Sequence, residues 1–312
     1  MAETFHELIA RNKRNSWLLI FIFAIVFVGI GLLIGNYWGG GNWYFSLAVA
    51  GGAAAIAFIL SLATYYGGDS VLLSMSQARE ITHDADPQLF NVVEELAIAG
   101  GIPLPKVYII NDSAMNAFAT GRDPAHASVA ITTGLRQKLT RDELQGVIGH
   151  ELSHVRHYDI LFATLIAVMV GVLVMLCDVF LRSTFWGGGR RRDSGRDREG
   201  GGGWIQLVLV VLALVFAILA PILARIIQMA ISRQREYLAD AGSVELTRNP
   251  RGLADALAKL DGDEEVLQVA NRATAGLFIV HPIKKFEERS ASIFDTHPPV
   301  SDRIRRLMAL GV

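Results

Sequence analysis

The sequence predicts an α+β, mainly helical protein in which several membrane-crossing helices accompany a polar domain with a small β-sheet. Three observations lead there. The 312 residues are 52% hydrophobic with a mean hydropathy of +0.36, too apolar for a soluble domain of ordinary composition. Residues 16–67 contain no group that is charged at neutral pH, a run long enough for two crossings at about 20 residues each. Two polar regions, 69–158 and 226–312, stand on either side of a second pair of apolar runs.

The first crossing is expected over 17–38 and the second over 43–66, with Gly39, Gly40 and Gly41 as the turn between them. Trp17, Trp38, Trp43, Tyr65 and Tyr66 mark the span ends, where amphipathic rings prefer the membrane interface. A cleaved signal peptide is the competing reading of the first run. It does not fit, because the run is too long for such a core and a second span follows at once. Arg11, Lys13 and Arg14 precede the first span and place the amino terminus in the cytoplasm. Residues 69–158 are then cytoplasmic as well.

That polar region carries local signals. Asp86-Pro87 reads as an N-cap followed by proline in the first turn, opening a helix that Leu89, Val92, Val93 and Leu96 carry to Gly100-Gly101. Short β-rich runs follow at 106–110, 117–120 and 128–132, separated by Asn111-Asp112 and Gly121. Thr140-Arg141-Asp142-Glu143 has the form of a capping box and opens the next helix. This helix leads almost directly into the third apolar run, 160–177, and a fourth covers 204–224. Between them, 187–203 is rich in glycine and arginine and reads as a loop. If the later pair crosses, this loop lies outside, against the positive-inside tendency. Two explanations stand: Asp193, Asp197 and Glu199 soften the bias, or the pair forms a hairpin that does not fully cross.

Composition also excludes classes. The net charge of −1 offers nothing to a nucleic-acid backbone. One cysteine, Cys177, allows neither an intrachain disulfide nor a cysteine metal site.

Within the capped helix stands His150-Glu151-Leu152-Ser153-His154. Histidines four apart in a helix lie on one face, so both imidazoles can reach one ion, and Glu151 beside them can take a proton from a metal-activated water. The alternative is a pair of solvated or capping histidines on an ordinary helix. His157 lies about 10 Å along the axis from His150 and cannot share the ion without a helix break. Arg235-Glu236-Tyr237-Leu238-Ala239-Asp240, after the fourth apolar run, is the better source of a third ligand. Glu236 can supply it, and Asp240, one turn on, can accept the free N–H of a ligand histidine. A third cluster is Thr296-His297-Pro298-Pro299 with Arg303. On the residues alone, His297 and Arg303 are either a cap and a surface charge, or donors that stabilise an oxyanion.

Taken together these residues form a family pattern. PKVYII at 105–110, NAFATG at 116–121, HELSH at 150–154, SRQREYLADAGS at 232–243 and THPPVSDRIRRL at 296–307 resemble the HtpX-type integral-membrane zinc metallopeptidases, relatives of the CAAX prenyl endopeptidases. The likeness spans nearly the whole chain, with the 187–203 segment as an insertion. It implies a zincin-like cytoplasmic domain with one Zn²⁺ held by His150, His154 and Glu236. It further implies support from Asp240, transition-state assistance from His297 and Arg303, and membrane-protein quality control under stress. The segment Asn116, Ala117, Phe118 is implied to be an edge strand that binds an extended protein or peptide substrate, with Asn116 holding its backbone.

The implied division is 1–68 for two membrane helices, 69–158 for the HExxH half, 159–225 for the apolar hairpin and 226–312 for the third-ligand half. Two other classes compete. A membrane scaffold or chaperone would close its metal site with four ligands. A transporter would need ionisable residues inside its spans, where this chain has almost none.

Overall fold

The structure, a computed structural model, describes residues 5–169, 233–263, 265 and 298–310. The run 204–224, the loop 187–203, Cys177 and His297 lie outside the described residues. The chain divides into two compact units, one made of 1–20, 61–168 and 228–312, the other of 21–60 and 169–227.

Two long helices come first, α1 (Phe5–Trp38) and α2 (Trp43–Met75). α1 runs unbroken from the basic residues Arg11, Lys13 and Arg14 into the apolar stretch. Among the described residues these two helices are long and apolar enough to cross a membrane, over Ile9–Gly29 and Trp43–Met75. Their large apolar side chains point outward: Trp17, Phe21, Phe58, Ile59 and Tyr66 are all exposed, the reverse of a water-soluble surface. Within the second unit the helices approach closely at Gly35, where a Cβ would lie 2.6 Å from the backbone of Ser46.

In the first unit, β1 (Arg79–Glu80), β2 (Lys106–Ile110), β3 (Ala117–Gly121) and β4 (Ala127–Thr132) form a mixed sheet in the order β1-β2-β4-β3. β2 and β4 are parallel, and β3 lies antiparallel to β4. β3 is thus the terminal strand, yet all five of its residues are buried. α3 (Pro87–Gly100) starts where Asp86 accepts the amide of Leu89 and ends at the left-handed Gly101. α4 (Thr133–Lys138) follows β4.

α5 (Arg141–Arg156) opens on the expected capping box, with Thr140 and Glu143 exchanging hydrogen bonds. It is the axis of the unit, buried from Leu144 through Val155 save for Gln145 and His154. Leu144, Val147, Ile148, Leu152 and Val155 join Leu89, Val93 and Val129 in one core. The third apolar run does not continue this helix. His157 and Tyr158 form a turn, Tyr158 with a left-handed φ of 60°, and α6 restarts at Asp159 and is described to Met169.

After the undescribed stretch come α7 (Arg233–Thr247), α8 (Pro250–Gly262) and α9 (Val300–Leu310). α7 and α8 both pack on α5 through glycines. A Cβ at Gly146 would collide with the backbone of Leu253, and one at Gly242 with Ser153. Ser243 of α7 ties the α7–α5 contact by donating to the Gly146 carbonyl at 2.7 Å. This close packing carries α7 to the face of α5 that bears the HELSH residues.

Candidate metal centre

His150 and His154 project from the same face of α5 with their Nε2 atoms 3.2 Å apart. From α7, one carboxylate oxygen of Glu236 lies 3.7 Å from His150 Nε2 and the other 3.6 Å from His154 Nε2. Donor atoms bound to one tetrahedral ion at about 2.0–2.1 Å stand about 3.3–3.4 Å from each other, so the triangle has the size that zinc requires. Two imidazoles and one carboxylate are also the donor set of a catalytic zinc site with an open position. Among the described residues this is the one group of three or more His, Cys, Asp or Glu side chains placed to share an ion.

Each histidine is held through its other nitrogen. His150 Nδ1 lies 3.0 Å from Asp240 Oδ1, and His154 Nδ1 lies 3.1 Å from Asp159 Oδ2. A carboxylate on Nδ1 selects the tautomer with its proton there and leaves the Nε2 lone pair facing the cluster. Asp240 is one α-helical turn after Glu236, so one helix supplies both carboxylates. Arg303 of α9 grips Asp240 with two bonds, Nη2 to Oδ1 at 2.6 Å and Nε to Oδ2 at 2.9 Å. Its Nη1 reaches to 3.6 Å from Glu236, and the residue is wholly buried.

The electrostatics follow from burial among opposed charges. Burial alone would raise the Asp240 carboxyl, but the Arg303 charge and the hydrogen bonds from His150 and Arg303 hold it below the usual carboxylate range. Burial raises Glu151, against the opposing pull of His150 and His154 and a hydrogen bond from the Ala119 amide. Burial works against a charged His154. The hydrogen bond to Asp159 and the charges of Glu236, Asp159 and Glu151 overcome it and push the imidazole up to about 9. The cluster is a negative cage that attracts a proton, and by the same field a metal dication.

The structure thus brings together His150, Glu151, His154, Glu236, Asp240 and Arg303. Arg303 sits behind Asp240 rather than at the surface. Asn116 is buried and latched to the end of β4: Thr132 donates its amide to the Asn116 carbonyl at 3.0 Å, and the Asn116 amide donates to Thr132 Oγ1 at 3.0 Å. Its side-chain oxygen accepts from the amide of Ala117 at 3.0 Å. Ala117 and Phe118 are buried in β3. The amide of Ala119 bonded to Glu151 sets that carboxylate against the terminal strand.

Three residues of the site escape the sequence reading: Asp159, Arg235 and Asn12. Asp159 Oδ1 receives the side-chain amide of Asn12 at 2.6 Å and lies 3.5 Å from Arg235 Nη1. Arg235 has a signal in its place directly before Glu236. Asn12 has none, being one polar residue among several at the start of a long apolar helix.

The model of peptidase family M48 matches residues 83–310. Among curated relatives, a "Protease HtpX homolog" of Caldanaerobacter subterraneus subsp. tengcongensis is 42% identical over 99% of both chains. The relative of the same description from Lactiplantibacillus plantarum is 46% identical over 96% of this chain and 98% of its own. The crystal structure of S. mikatae Ste24p shares the fold with a TM-score of 0.50 at 18% identity, covering 96% of this chain and 66% of that one.

Proposed function

Starting from the fact that the chain belongs to peptidase family M48 and is a metalloprotease, we propose that it is a zinc endopeptidase of the cytoplasmic membrane that cuts membrane or misfolded proteins at the cytoplasmic face. One observation carries this reading: the Nε2–Nε2–carboxylate triangle of His150, His154 and Glu236, with Glu151 beside it. When bound, zinc supplies a Lewis acid that polarises the scissile carbonyl and acidifies the attacking water. Glu151 takes the proton of that water and delivers it to the leaving amine. Its buried setting beside the Ala119 amide orients the carboxylate for both transfers. Asp240 holds His150, and Arg303 keeps Asp240 charged. Arg303 and His297 are the donors proposed to assist the transition state.

An extended substrate segment would pair along β3, the terminal strand, near Asn116, Ala117 and Phe118. Substrate is then held beside the same strand that touches Glu151. The proposed division keeps the two polar regions, 69–158 and 226–312, on the cytoplasmic side, with α1 and α2 in the bilayer and the apolar segments 160–177 and 204–224 returning the chain to that side. The exposed apolar surfaces of α1 and α2 support it. Quality control under stress is the corresponding biological role.

The decisive measurement is metal-dependent release of peptides from an unfolded membrane protein by the purified full chain, with a chelator control, together with the zinc content of Glu236→Ala. Cleavage that stops on chelation, with zinc lost from the variant, is expected. Full zinc content in Glu236→Ala would remove it from the ligand set. Chelator-resistant cleavage would reject the zinc mechanism.

A further inference from the structure

We propose that Asp159 is a positioning residue for the second ligand histidine, and that the cytoplasmic end of α1, through Asn12 and Lys13, holds it there. Metal affinity is thereby coupled to the docking of a helix that continues into the membrane-length stretch. The inference rests on the zinc reading of His150, His154 and Glu236.

The turn at His157-Tyr158 brings Asp159 back onto His154, where Oδ2 meets Nδ1 at 3.1 Å. α1 supplies two contacts to that turn. The side-chain amide of Asn12 donates to the His157 carbonyl at 2.9 Å and to Asp159 Oδ1 at 2.6 Å. An –NH₂ group has two hydrogens, and here both are used. Lys13 Nζ stands 4.1 Å above the ring of Tyr158, a cation–π contact on the strained residue itself. Arg235, at 3.5 Å from Asp159 Oδ1, adds charge from α7.

Chemistry assigns the direction of each bond. The amide nitrogen of Asn12 can only donate, so it fixes Oδ1 of Asp159 as its acceptor and leaves Oδ2 for His154. Asn12 is 2% exposed, and a buried amide is costly unless it is bonded. Its partners are the carbonyl at the end of α5, which a helix terminus leaves without an intrahelical donor, and the carboxylate on the ligand. The bland alternative makes Asp159 a helix-starting acid for α6 and nothing more. Asparagine there would give up only the charge–dipole benefit, about 0.3–1 kcal/mol, and would leave zinc affinity unmoved, which separates the two.

The test uses the full-length protein in detergent, measuring the zinc dissociation constant by competition with a chromophoric chelator, and thermal unfolding of the metal-free form in parallel. Asp159→Ala and Asp159→Asn are expected to raise that constant by about 10–100-fold, and Asn12→Ala by a smaller factor, while Asp159→Asn, which keeps the shape of the side chain, destabilises the metal-free form less than Asp159→Ala does. At limiting zinc, Asp159→Asn should lower kcat without moving KM, and excess zinc should restore it. Wild-type zinc affinity in both Asp159→Asn and Asn12→Ala overturns the inference and leaves the zinc reading standing. A wild-type protein that takes up no zinc overturns both. Should Asp159→Ala fail to fold, the isosteric Asp159→Asn decides alone.

Discussion

The two histidines of the metal cluster are one helical turn apart on α5, yet their surroundings are built differently. His150 is sealed, with 1% of its side chain exposed, and is backed by Asp240 and the fully buried Arg303. His154 is 16% exposed and is backed by Asp159, whose partners come from α1 and α7. The sealed flank combines a bidentate ion pair with tight packing of α7 on α5. The other combines a turn with a polar staple from a helix of membrane length. The two flanks thus differ in what holds them: α7 and α9 close the His150 side, and the His154 side is where α1 reaches the cluster through Asp159.

Three measurements bear on that contrast. Glu151 belongs to neither flank, and Glu151→Gln should lower kcat by about 10²–10⁴-fold with zinc content unchanged. Loss of zinc in that variant would mean that the base also supports the cage, and the two-flank description would need a third member.

Next in size is the comparison of two arginines. Arg303→Met leaves the buried Asp240 charge without its main partner, and should destabilise the metal-free protein by about 3–5 kcal/mol in chemical unfolding. Arg235→Met should cost less, no more than about 3 kcal/mol, because Asp159 keeps Asn12. Equal losses would erase the distinction between the two flanks.

The smallest effect is expected far from either flank, at Asp86. Burial alone would raise this carboxyl, but Arg136 and the Leu89 amide hold it below the usual range. A carboxylate depressed in the folded state stabilises above its unfolded pKa, and that contribution is lost as pH falls through the folded value. Asp86→Ala should therefore cost about 1 kcal/mol at neutral pH. The cost should shrink on acidification below about pH 4, with zinc affinity unmoved throughout. A change in zinc affinity would show that the start of α3 is coupled to the cluster.

Much of this arrangement is legible in the sequence because it is written in local spacing. The capping box at Thr140 and Glu143, the i,i+4 histidines and the i,i+4 pair of Glu236 and Asp240 depend only on helical periodicity. The strands at 106–110, 117–121 and 127–132 follow from β-rich runs between turn residues. Asn249-Pro250 repeats the signal of Asp86-Pro87 and opens α8, although the sequence reading assigns no element there. Arg303 is legible as a residue of the site but not as the buried clamp on Asp240, since that depends on how α9 docks. Asn12 is not legible at all: its partners lie 145 and 147 residues away, and no periodicity connects them.

Asp159 is hidden for a different reason, and Tyr158 supplies it. Counted along an unbroken helix, position 159 would stand about 140° round the axis from His154 and face away from it. One backbone torsion, the left-handed φ of 60° at Tyr158, turns it back. Part of the ligand environment is therefore stored as a dihedral angle rather than as a side chain. Over evolutionary time that sets an uneven tolerance. Glycine at 158 enters the same torsion without steric cost, a β-branched residue is shut out, and adding or deleting one residue between 154 and 159 aims the carboxylate elsewhere with every liganding residue intact.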